Sequence, residues 1–378
     1  MKISRTVSLA ALCLGLTACV EGFINEVEPA PLPDVSERAR ALHDSTLVAD
    51  LHADSLLFRR DLTRRVSRGH VDLPRLREGG VGLQVLGVVT RVYSGTNVDR
   101  TEASGLDLVR LLGCLRFRRS CFTGPFGRLE EQAGYLAGNV ERDGRLVWLR
   151  ERADLERLRA ARASDPGTIG VLLGVEGAHA LEGEPENLER AFALGVRMLG
   201  LAHFFDNPYT GSAHGVEQGG LSELGRATLA RMETLGIAVD LAHLSSAGID
   251  ETLALATKPV VVSHGGAKGT CDNARTLSDR HLRAIATNGG VVGIGYWETA
   301  VCGTAPADVA RAIRYVADLV GDAHVALGSD YDGSTTVGFD TGQLPALTQA
   351  LLDAGFDDDA VRRILGGNVL RVLAATLP

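Results

Sequence analysis

The chain has 378 residues, of which 45% are hydrophobic and 23% are charged, and its formal net charge is −8. This length and apolar content suffice for one large soluble core, such as an α/β barrel of ~250 residues with insertions. The net charge is negative and we identify no basic cluster or aromatic–basic interleaving, so we do not expect nucleic acid as a partner. The basic residues are almost all arginine, since the only lysines are Lys2, Lys258 and Lys268.

The N-terminus predicts a lipoprotein signal peptide over residues 1–18. A positively charged start precedes an apolar segment, residues 7–16, that is too short to span a bilayer as an ordinary helix. The sequence Leu16-Thr17-Ala18-Cys19 resembles a bacterial lipobox, in which Cys19 is lipidated and becomes the first mature residue. A plain secretory peptide that is cleaved nearby is the alternative.

Lipidation of Cys19 would anchor the mature chain to a membrane of the bacterial cell envelope. The next residues, Val20-Glu21, lack the Asp that resembles an inner-membrane retention signal. We therefore expect the outer membrane, with the protein facing the periplasm or the exterior. Residues 19–38, which contain three prolines, predict an extended tether, and residues 39–378 predict one barrel domain.

Export from the cytoplasm predicts disulfide bonds. Besides Cys13 and Cys19, the chain has four cysteines, namely Cys114, Cys121, Cys271 and Cys302. Four cysteines allow three pairings, of which Cys114–Cys121 and Cys271–Cys302 are the simplest. Four buried free thiols are the alternative.

Eight apolar segments alternate with amphipathic helices along the chain, after a polar helix over Val35–Asp44. The predicted strands are Thr46–Asp54, Gly82–Val89, Thr168–Glu176, Val196–His203, Ile237–His243, Pro259–His264, Gly290–Tyr296 and Val325–Asp330. Near-continuous apolar strands in strict alternation with helices predict a parallel sheet covered on both faces, and eight such units predict a closed (β/α)8 barrel. A doubly wound open sheet is the alternative, but no glycine-rich dinucleotide fingerprint follows the first strand.

The predicted helices between the strands are about 10 to 16 residues long. They are Pro185–Leu194, Ser222–Leu235, Ser246–Ala256, Ser278–Ala286 and Ala307–Leu319, together with a helical region over 129–162 that is interrupted near Asp143-Gly144. Residues 91–128 break the alternation after the second strand, so we expect an insertion over the mouth of the barrel. Residues 344–376 predict C-terminal helices.

Six of the eight predicted strands end in a histidine or a carboxylate. The residues are His52 and Asp54, Glu176, His203, His243, His264 and Asp330. Each one alone is explained more simply as a buried structural histidine or a helix cap. Because the C-terminal ends of the strands of a parallel barrel meet at one rim, the set together predicts a metal site there.

The number of candidate ligands predicts two metal ions. His52, Asp54, Glu176, His243 and His264 offer nitrogen and oxygen atoms, which suit Zn²⁺. Paired ions ~3.5–4 Å apart need a bridging group, and no lysine near the fourth strand could serve as a carbamylated bridge. We therefore expect Glu176 to be shared, with His52 and Asp54 completing one site and His243 and His264 the other.

Five segments together resemble the membrane (renal-type) dipeptidases, which are binuclear zinc members of the amidohydrolase superfamily. They are Asp50-Leu51-His52-Ala53-Asp54, Gly174-Val175-Glu176-Gly177-Ala178-His179, Val239-Asp240-Leu241-Ala242-His243-Leu244-Ser245, Pro259-Val260-Val261-Val262-Ser263-His264 and Gly328-Ser329-Asp330-Tyr331-Asp332-Gly333. The resemblance covers nearly the whole mature chain. It implies hydrolysis of dipeptides that have free amino and carboxyl ends, often with a D-residue tolerated at the carboxyl position. A homodimer is expected from the resemblance alone.

The resemblance also assigns roles to individual residues. Two zinc ions bridged by Glu176 would share a hydroxide as the nucleophile. His203 would stabilise the oxyanion, Asp330 would relay a proton to the leaving amine, and Arg275 would bind the substrate carboxylate. Asp240 and His179 could orient the ligands, and a buried structural role is the alternative for both.

Two other functions stay open at this point. A related amidohydrolase could act on another amide, such as a β-lactam or an N-acyl amino acid. A non-catalytic binding protein of the envelope could also have kept the barrel, although the complete set of ligand-type residues favours an enzyme.

Overall fold

The computed structural model describes residues 24–378, so the predicted signal peptide and Cys19 lie outside the described residues. Eight parallel strands form a closed ring. They are β1 Val48–Ala53, β2 Val81–Leu86, β3 Ile169–Val175, β4 Val196–Gly200, β5 Ala238–Asp240, β6 Val261–Ala267, β7 Val291–Ile294 and β8 Val325–Leu327. Each strand pairs with the next along the chain, and Leu327 of β8 lies opposite Asp50 of β1, which closes the barrel. The predicted (β/α)8 fold is confirmed.

The eight strands are buried along their whole length, in agreement with their near-continuous apolar sequences. Helices surround them and cover the barrel. The longer helices are Glu37–Asp44, Pro125–Asp143, Arg152–Ser164, Glu186–Ala193, Glu223–Leu235, Ser246–Leu255, Asp279–Asn288, Pro306–Val320, Pro345–Asp353 and Asn368–Thr376. Short helices at Ser55–Phe58, Leu73–Glu78, Glu298–Val301 and Asp358–Arg362 complete the layer. No helix in residues 24–378 combines the length and the apolar character needed to cross a membrane.

Serine caps explain where several of these helices begin. The side chains of Ser222, Ser245 and Ser278 each accept a hydrogen bond from a backbone N–H three residues further on. Such a cap satisfies an N–H group that the first turn of a helix leaves without a partner. The predicted starts of these helices therefore agree with the structure to within a residue or so.

The region predicted as an interrupted helix over 129–162 contains a strand. The helix Pro125–Asp143 ends at Gly144, whose φ of 66° is the left-handed conformation that glycine adopts readily. Residues Leu146–Trp148 then pair in parallel with the start of β3 before the next helix begins. Three residues are too few to show an alternating pattern, so the sequence did not predict this strand.

Residues 91–128 lie at the C-terminal rim of β1 and β2. They contain the helix Leu108–Leu115 and a single helical turn at Arg119–Cys121. Arg128, at the end of this region, donates to the backbone oxygen of Thr90, which follows β2. The disulfide Cys114–Cys121 lies within the insertion, and Cys271–Cys302 joins the loops after β6 and β7, with S–S distances of 2.00 and 2.09 Å.

Part of the predicted tether is bound to the barrel. Glu26–Val27 form a short strand that pairs in parallel with Thr336–Val337, in the long loop after β8. The backbone N–H groups of Glu28 and Ala30 donate to the oxygens of Val337 and Gly338. The chain therefore reaches the C-terminal rim before it enters the first barrel strand.

Candidate active site

Four histidines surround the carboxylate of Glu176. Its Oε1 atom lies 3.2 Å from Nε2 of His52, 3.5 Å from Nε2 of His243 and 3.3 Å from Nε2 of His264. Its Oε2 atom lies 2.9 Å from Nε2 of His203. The five side chains come from β1, from β6 and from the residues that follow β3, β4 and β5. The C-terminal ends of the strands thus bring together residues that are far apart in the sequence.

Two further carboxylates complete the cluster. Oδ1 of Asp54 lies 3.3 Å, and Oδ1 of Asp330 4.0 Å, from Nε2 of His52. Three sets of these residues could each hold one metal ion: His52, Glu176 and His264; Glu176, His203 and His243; and His52, Asp54 and Asp330. Glu176 belongs to two of the sets. The atoms of the predicted second site are also close together, since Nε2 of His264 lies 3.2 Å from Nε2 of His243 and 3.3 Å from Oε1 of Glu176.

The residues fit a bound metal ion on two observations. Nε2 of His52, Oδ1 of Asp54 and Oε1 of Glu176 are buried and make no hydrogen bond within the described residues, although they point at one another. Gly87, just after β2, keeps space open beside them, because a Cβ atom there would lie only 2.4 Å from Oδ1 of Asp54. A cation would satisfy these nitrogen and oxygen atoms, and the donor set is one that Zn²⁺ accepts.

Burial and mutual attraction shift the pKa values of the cluster in opposite directions. Burial alone would lower the pKa of His52, but the Glu176 and Asp54 carboxylates outweigh it and raise this pKa to about 10. Burial lowers the pKa of both His243 and His264 well below the usual range. These two histidines are therefore neutral at physiological pH, which is the form that binds a metal ion.

The pKa values of two carboxyl groups, Glu176 and Asp330, are also shifted in opposite directions. Burial opposes ionisation of Glu176, but the neighbouring His203 and His52 bring its pKa well below the usual range. Burial raises the pKa of Asp330 well above the usual range, and the charges of Asp54 and Glu176 reinforce this effect. Two carboxyl groups in one site that differ in this way can accept and donate protons in the same reaction.

His264 is oriented by a chain of hydrogen bonds. Its Nδ1 atom lies 2.8 Å from the hydroxyl oxygen of Ser263, and that hydroxyl donates to Oδ2 of Asp240. The other oxygen of Asp240 accepts hydrogen bonds from the backbone N–H groups of Ala242 and Ser263. Asp240 therefore acts on a candidate ligand through Ser263, the kind of support that fixes the direction of a metal-binding imidazole.

His179 lies outside this arrangement. Its Nε2 atom is 3.1 Å from the hydroxyl of Thr90, and its ring packs against Phe205 at 4.8 Å. None of the candidate metal-binding sets includes it. Its place in the structure is that of a buried packing residue.

Two candidate site residues have a strained backbone. His243 and Asp330 have φ angles of 64° and 58°, in the left-handed region that side chains other than glycine rarely adopt. Asp332 and Ser334, in the same loop as Asp330, have φ angles of 63° and 61°. Each such residue costs on the order of 1 kcal/mol and persists only where the surroundings enforce it.

The surroundings of the loop after β8 supply this constraint. The Asp332 carboxylate accepts hydrogen bonds from the Arg60 guanidinium, from the Ser55 hydroxyl at 2.6 Å and from the His70 backbone N–H at 2.7 Å. The backbone N–H of Ser334 donates to Oδ1 of Asn25 at 2.8 Å. Residues from the N-terminal segment and from the loop after β1 therefore hold Asp330 in place.

A cavity of about 390 Å³ opens beside the cluster, a volume suited to a small ligand. Arg275, Trp297, Asp330 and Val98 of the insertion are among the residues that line it. The Arg275 guanidinium lies 5.6 Å from the centre of the Trp297 ring and 3.3 Å from Nε2 of His243. It is buried, and it forms no ion pair within residues 24–378.

The loop that carries Arg275 is fastened to the loop after β7. The disulfide Cys271–Cys302 joins the two loops, and the side chain of Asn273 donates to the backbone oxygen of Thr299 at 2.8 Å. Oδ1 of Asn273 accepts a hydrogen bond from the backbone N–H of Arg275. The position of the guanidinium in the cavity thus depends on contacts between two loops.

Two contributors to the site, Asp50 and His214, were not predicted from the sequence. Asp50 accepts hydrogen bonds from the backbone N–H and the hydroxyl of Ser329, which precedes Asp330. His214 stacks on Phe204, packs edge-on against His243 and lies 2.6 Å from the backbone oxygen of Val98. Asp50 could have been found from its position two residues before His52, since side chains at i and i+2 share a face of a strand. His214 lies in a loop without any such pattern.

Comparison with known proteins agrees with the geometry. The model of the membrane dipeptidase family, peptidase family M19, matches residues 36–377. The dipeptidase aclJ of Aspergillus oryzae is 40% identical over 218 residues, which cover 55% of this chain and 52% of that protein. Dipeptidase 3 of Mus musculus is 27% identical over 363 residues, covering 90% of this chain and 66% of that protein. The chain thus spans between half and two thirds of the length of these two relatives.

A solved structure extends the comparison. A metallopeptidase from Rhodobacter sphaeroides, solved with a phosphinate mimic of the dipeptide L-Ala-D-Ala, superposes with a TM-score of 0.72 at 25% identity. The match covers 88% of this chain and 100% of the Rhodobacter sphaeroides chain. A closed parallel barrel with a histidine–carboxylate cluster at its C-terminal rim defines an amidohydrolase-type fold. Within that class, the chain belongs to the membrane dipeptidase family, as the sequence resemblance predicted.

Proposed function

We propose that the protein hydrolyses the peptide bond of dipeptides. The observation that carries this proposal is the buried Arg275 guanidinium, which faces the cavity beside the cluster without an ion pair in the described part of the chain. A buried cation without an opposite charge beside it is costly, and a planar guanidinium suits a carboxylate through two parallel hydrogen bonds. The free carboxyl end of a dipeptide supplies that partner.

The reacting amide would then lie against the cluster. With the substrate carboxylate on Arg275, His203 would donate a hydrogen bond to the oxyanion that develops at the carbonyl carbon. Asp330, whose pKa burial raises, would hold a proton and pass it to the leaving amine. Val98 and Trp297 line the cavity and would limit the access of water.

We further propose two Zn²⁺ ions in each chain. His52 and Asp54 would hold one ion, His243 and His264 the other, and Glu176 both, which its place among the histidines supports. The ions, when bound, would polarise the carbonyl and lower the pKa of a water molecule so that hydroxide is available at neutral pH. The orphaned ligand atoms of His52, Asp54 and Glu176 favour a metal at this place.

We propose that a D-residue is accepted at the carboxyl position. The Rhodobacter sphaeroides relative was solved with a mimic of L-Ala-D-Ala, which supports this stereochemistry. The test measures hydrolysis of L-Ala-L-Ala and L-Ala-D-Ala by metal-replete protein, with metal content per chain measured on the same sample. N-acetyl-L-Ala-D-Ala and a β-lactam serve as the comparison amides.

The outcomes separate the alternatives. We expect the two dipeptides to be hydrolysed well and the acetylated compound and the β-lactam poorly, with about two zinc ions per chain. Preferred hydrolysis of the acetylated compound or the β-lactam would assign the protein to another amidohydrolase activity. Binding of dipeptides without hydrolysis, in metal-replete protein, would make it a binding protein.

We also propose that the mature chain is attached to the outer membrane through lipid on Cys19 and that it forms a homodimer. The lipobox sequence supports the first statement, and family membership supports the second. Mass spectrometry of the membrane fraction would test the lipid, and analytical ultracentrifugation would test the dimer.

A further inference from the structure

Exposed apolar side chains concentrate in one short part of the insertion. Of the eight large hydrophobic residues that are exposed in the described chain, five fall within residues 106–122. They are Leu106, Leu108, Leu111, Phe117 and Phe122, and the two phenylalanines are 73% and 86% exposed. The other three, Leu32, Val216 and Leu255, lie far apart in the sequence. We call residues 106–122 the insertion surface.

The insertion surface is held together by a helix, a disulfide bond and close packing. Leu108 and Leu111 lie one helical turn apart and therefore share a face of the helix Leu108–Leu115. The Cys114–Cys121 disulfide closes the chain back on this helix. Gly113 packs so closely on Ser120 that a Cβ atom would lie 2.4 Å from the serine hydroxyl.

Phe117 is exposed, although its backbone conformation is unfavourable for a phenylalanine. It follows the end of the helix with a φ of 51°, at a position where glycine or asparagine is usual. A phenylalanine there strains the backbone and gains no burial within the chain, since 73% of it is exposed. Folding alone therefore does not explain the choice of an aromatic residue at this position.

The same stretch is strongly basic, although the chain is acidic. Residues 106–122 contain four arginines and one aspartate, a net charge of +3, whereas the whole chain carries −8. The arginines are Arg110, Arg116, Arg118 and Arg119. The aspartate, Asp107, accepts a hydrogen bond from Arg128 at 2.6 Å, and Arg119 forms an ion pair with Glu130 at 3.1 Å. Burial and the neighbouring Arg116 and Arg59 lower the pKa of Arg118 to about 10, so this side chain stays charged at neutral pH.

The insertion surface lies at the same end of the barrel as the N-terminal segment. Arg118 donates to the backbone oxygens of Leu57 and Phe58, in the loop after β1. Two residues further along that loop, Arg60 binds Asp332, whose neighbour His70 lies 3.2 Å from the backbone oxygen of Glu26. One continuous set of contacts thus joins the insertion surface to the first described residues of the chain.

We propose that the insertion surface docks on an anionic phospholipid bilayer. Phenylalanine and leucine side chains would enter the interface between head groups and acyl chains, while the exposed Arg110 and Arg119 bind lipid phosphates. The opposite charges of a +3 surface and an anionic bilayer support this partner. The proposed lipid on Cys19, a few residues before the segment at the same rim, is consistent with it. This inference does not depend on the dipeptidase activity.

A second copy of the chain fits the surface less well. A dimer with twofold symmetry places the same patch on both sides of the interface, so two patches that each carry a net charge of +3 would meet. Like charges brought together in this way repel, whereas a bilayer that contains anionic lipid attracts them. Charge therefore favours the bilayer over self-association.

The test is co-sedimentation with vesicles of phosphatidylcholine, with and without phosphatidylglycerol. We use the polypeptide that begins at Val20, which contains every described residue, so that neither the leader nor an acyl chain contributes. We expect binding to the vesicles with phosphatidylglycerol that weakens with added salt. Replacing Phe117→Asn and Phe122→Ser should weaken it about tenfold for each ring removed from the interface. Asparagine suits the left-handed backbone at position 117, so the fold is kept.

Matched controls lie elsewhere on the chain. Leu255→Asn removes a residue that is 46% exposed outside the insertion surface and should leave vesicle binding unchanged. Arg110→Gln and Arg119→Gln should each weaken binding about fivefold, whereas Arg159→Gln on another helix should not. All of these variants should hydrolyse dipeptides as the wild type does.

Three results would overturn the proposal. One is the absence of wild-type binding to either kind of vesicle. Another is equal loss of binding in Leu255→Asn and in the phenylalanine variants. The third is a concentration-dependent dimer that Phe117→Asn and Phe122→Ser abolish, because the insertion surface would then bind a second copy of the chain.

Discussion

Replacing Arg275→Met should impair the use of dipeptides because it removes the proposed partner of the substrate carboxylate. Methionine keeps an apolar stem of similar length beside Trp297 and removes only the charged fork. The guanidinium is buried, so its hydrogen bonds to a carboxylate would be shielded from water. Two charge-assisted hydrogen bonds that contribute about 1.5 kcal/mol each amount to about 3 kcal/mol, or about 10²-fold in kcat/KM.

The loss should fall mainly on KM, because the carboxylate binds equally before and during the reaction. The assay compares kcat and KM of both proteins for L-Ala-D-Ala and for the same compound with a carboxyl-terminal amide. The amide lacks the charge that Arg275 binds, so wild type and variant should handle it similarly. Arg280→Met, which removes an exposed arginine, is the matched control, and metal content is measured throughout.

Equal losses for the dipeptide and its amide would refute this reasoning, because Arg275 would then act on something other than the carboxylate. A fall in metal content in Arg275→Met would point to the same conclusion, since the guanidinium lies 3.3 Å from Nε2 of His243.

Three further predictions follow from other parts of the structure. Asp330→Asn should lower kcat by about 10²–10⁴-fold in steady-state assays while metal content is kept, and a normal kcat would exclude it as the proton carrier. Glu28→Pro removes the N–H that binds the oxygen of Val337 and should speed hydrogen exchange in residues 330–337 about fivefold, whereas Glu28→Ala should not. Burial lowers the pKa of His43 below 6.5, so the unfolded chain binds a proton more readily and the free energy of unfolding falls as the pH drops below that value. Urea titrations of wild type and His43→Gln should therefore differ in this slope by up to about 1.4 kcal/mol per pH unit, and equal slopes would contradict the prediction.

The barrel could be predicted because its strands are buried on both faces. Val48–Ala53 and Val261–Ala267 are apolar until a ligand-type residue interrupts them near the rim, so the strand and the site residue are visible in one pattern. Glu176 and His264 are far apart in the sequence, but strand order alone places them at the same rim. The family resemblance added Arg275, which no pattern in the residues distinguishes from the other arginines.

Other features depend on contacts that have no trace in a single segment. The strand Glu26–Val27 exists because the loop after β8 offers it a partner, and its own sequence predicts only an extended tether. The distances among the candidate ligand atoms depend on side-chain directions, so strand order alone did not show that Nε2 of His264 lies 3.2 Å from Nε2 of His243. The local excess of positive charge in the insertion surface was not predicted, because the net charge of the whole chain is negative.

The two ends of the described chain emerge at opposite ends of the barrel. Glu26–Val27 pairs with the loop that lines the active-site cavity, whereas the oxygen of Pro378 accepts a hydrogen bond from Arg152, near the start of the helix that precedes β3. A bulky group attached close to Glu26 would crowd the entrance used by substrates. The C-terminus is the better handle for immobilising the enzyme, since a linker there would leave the entrance clear.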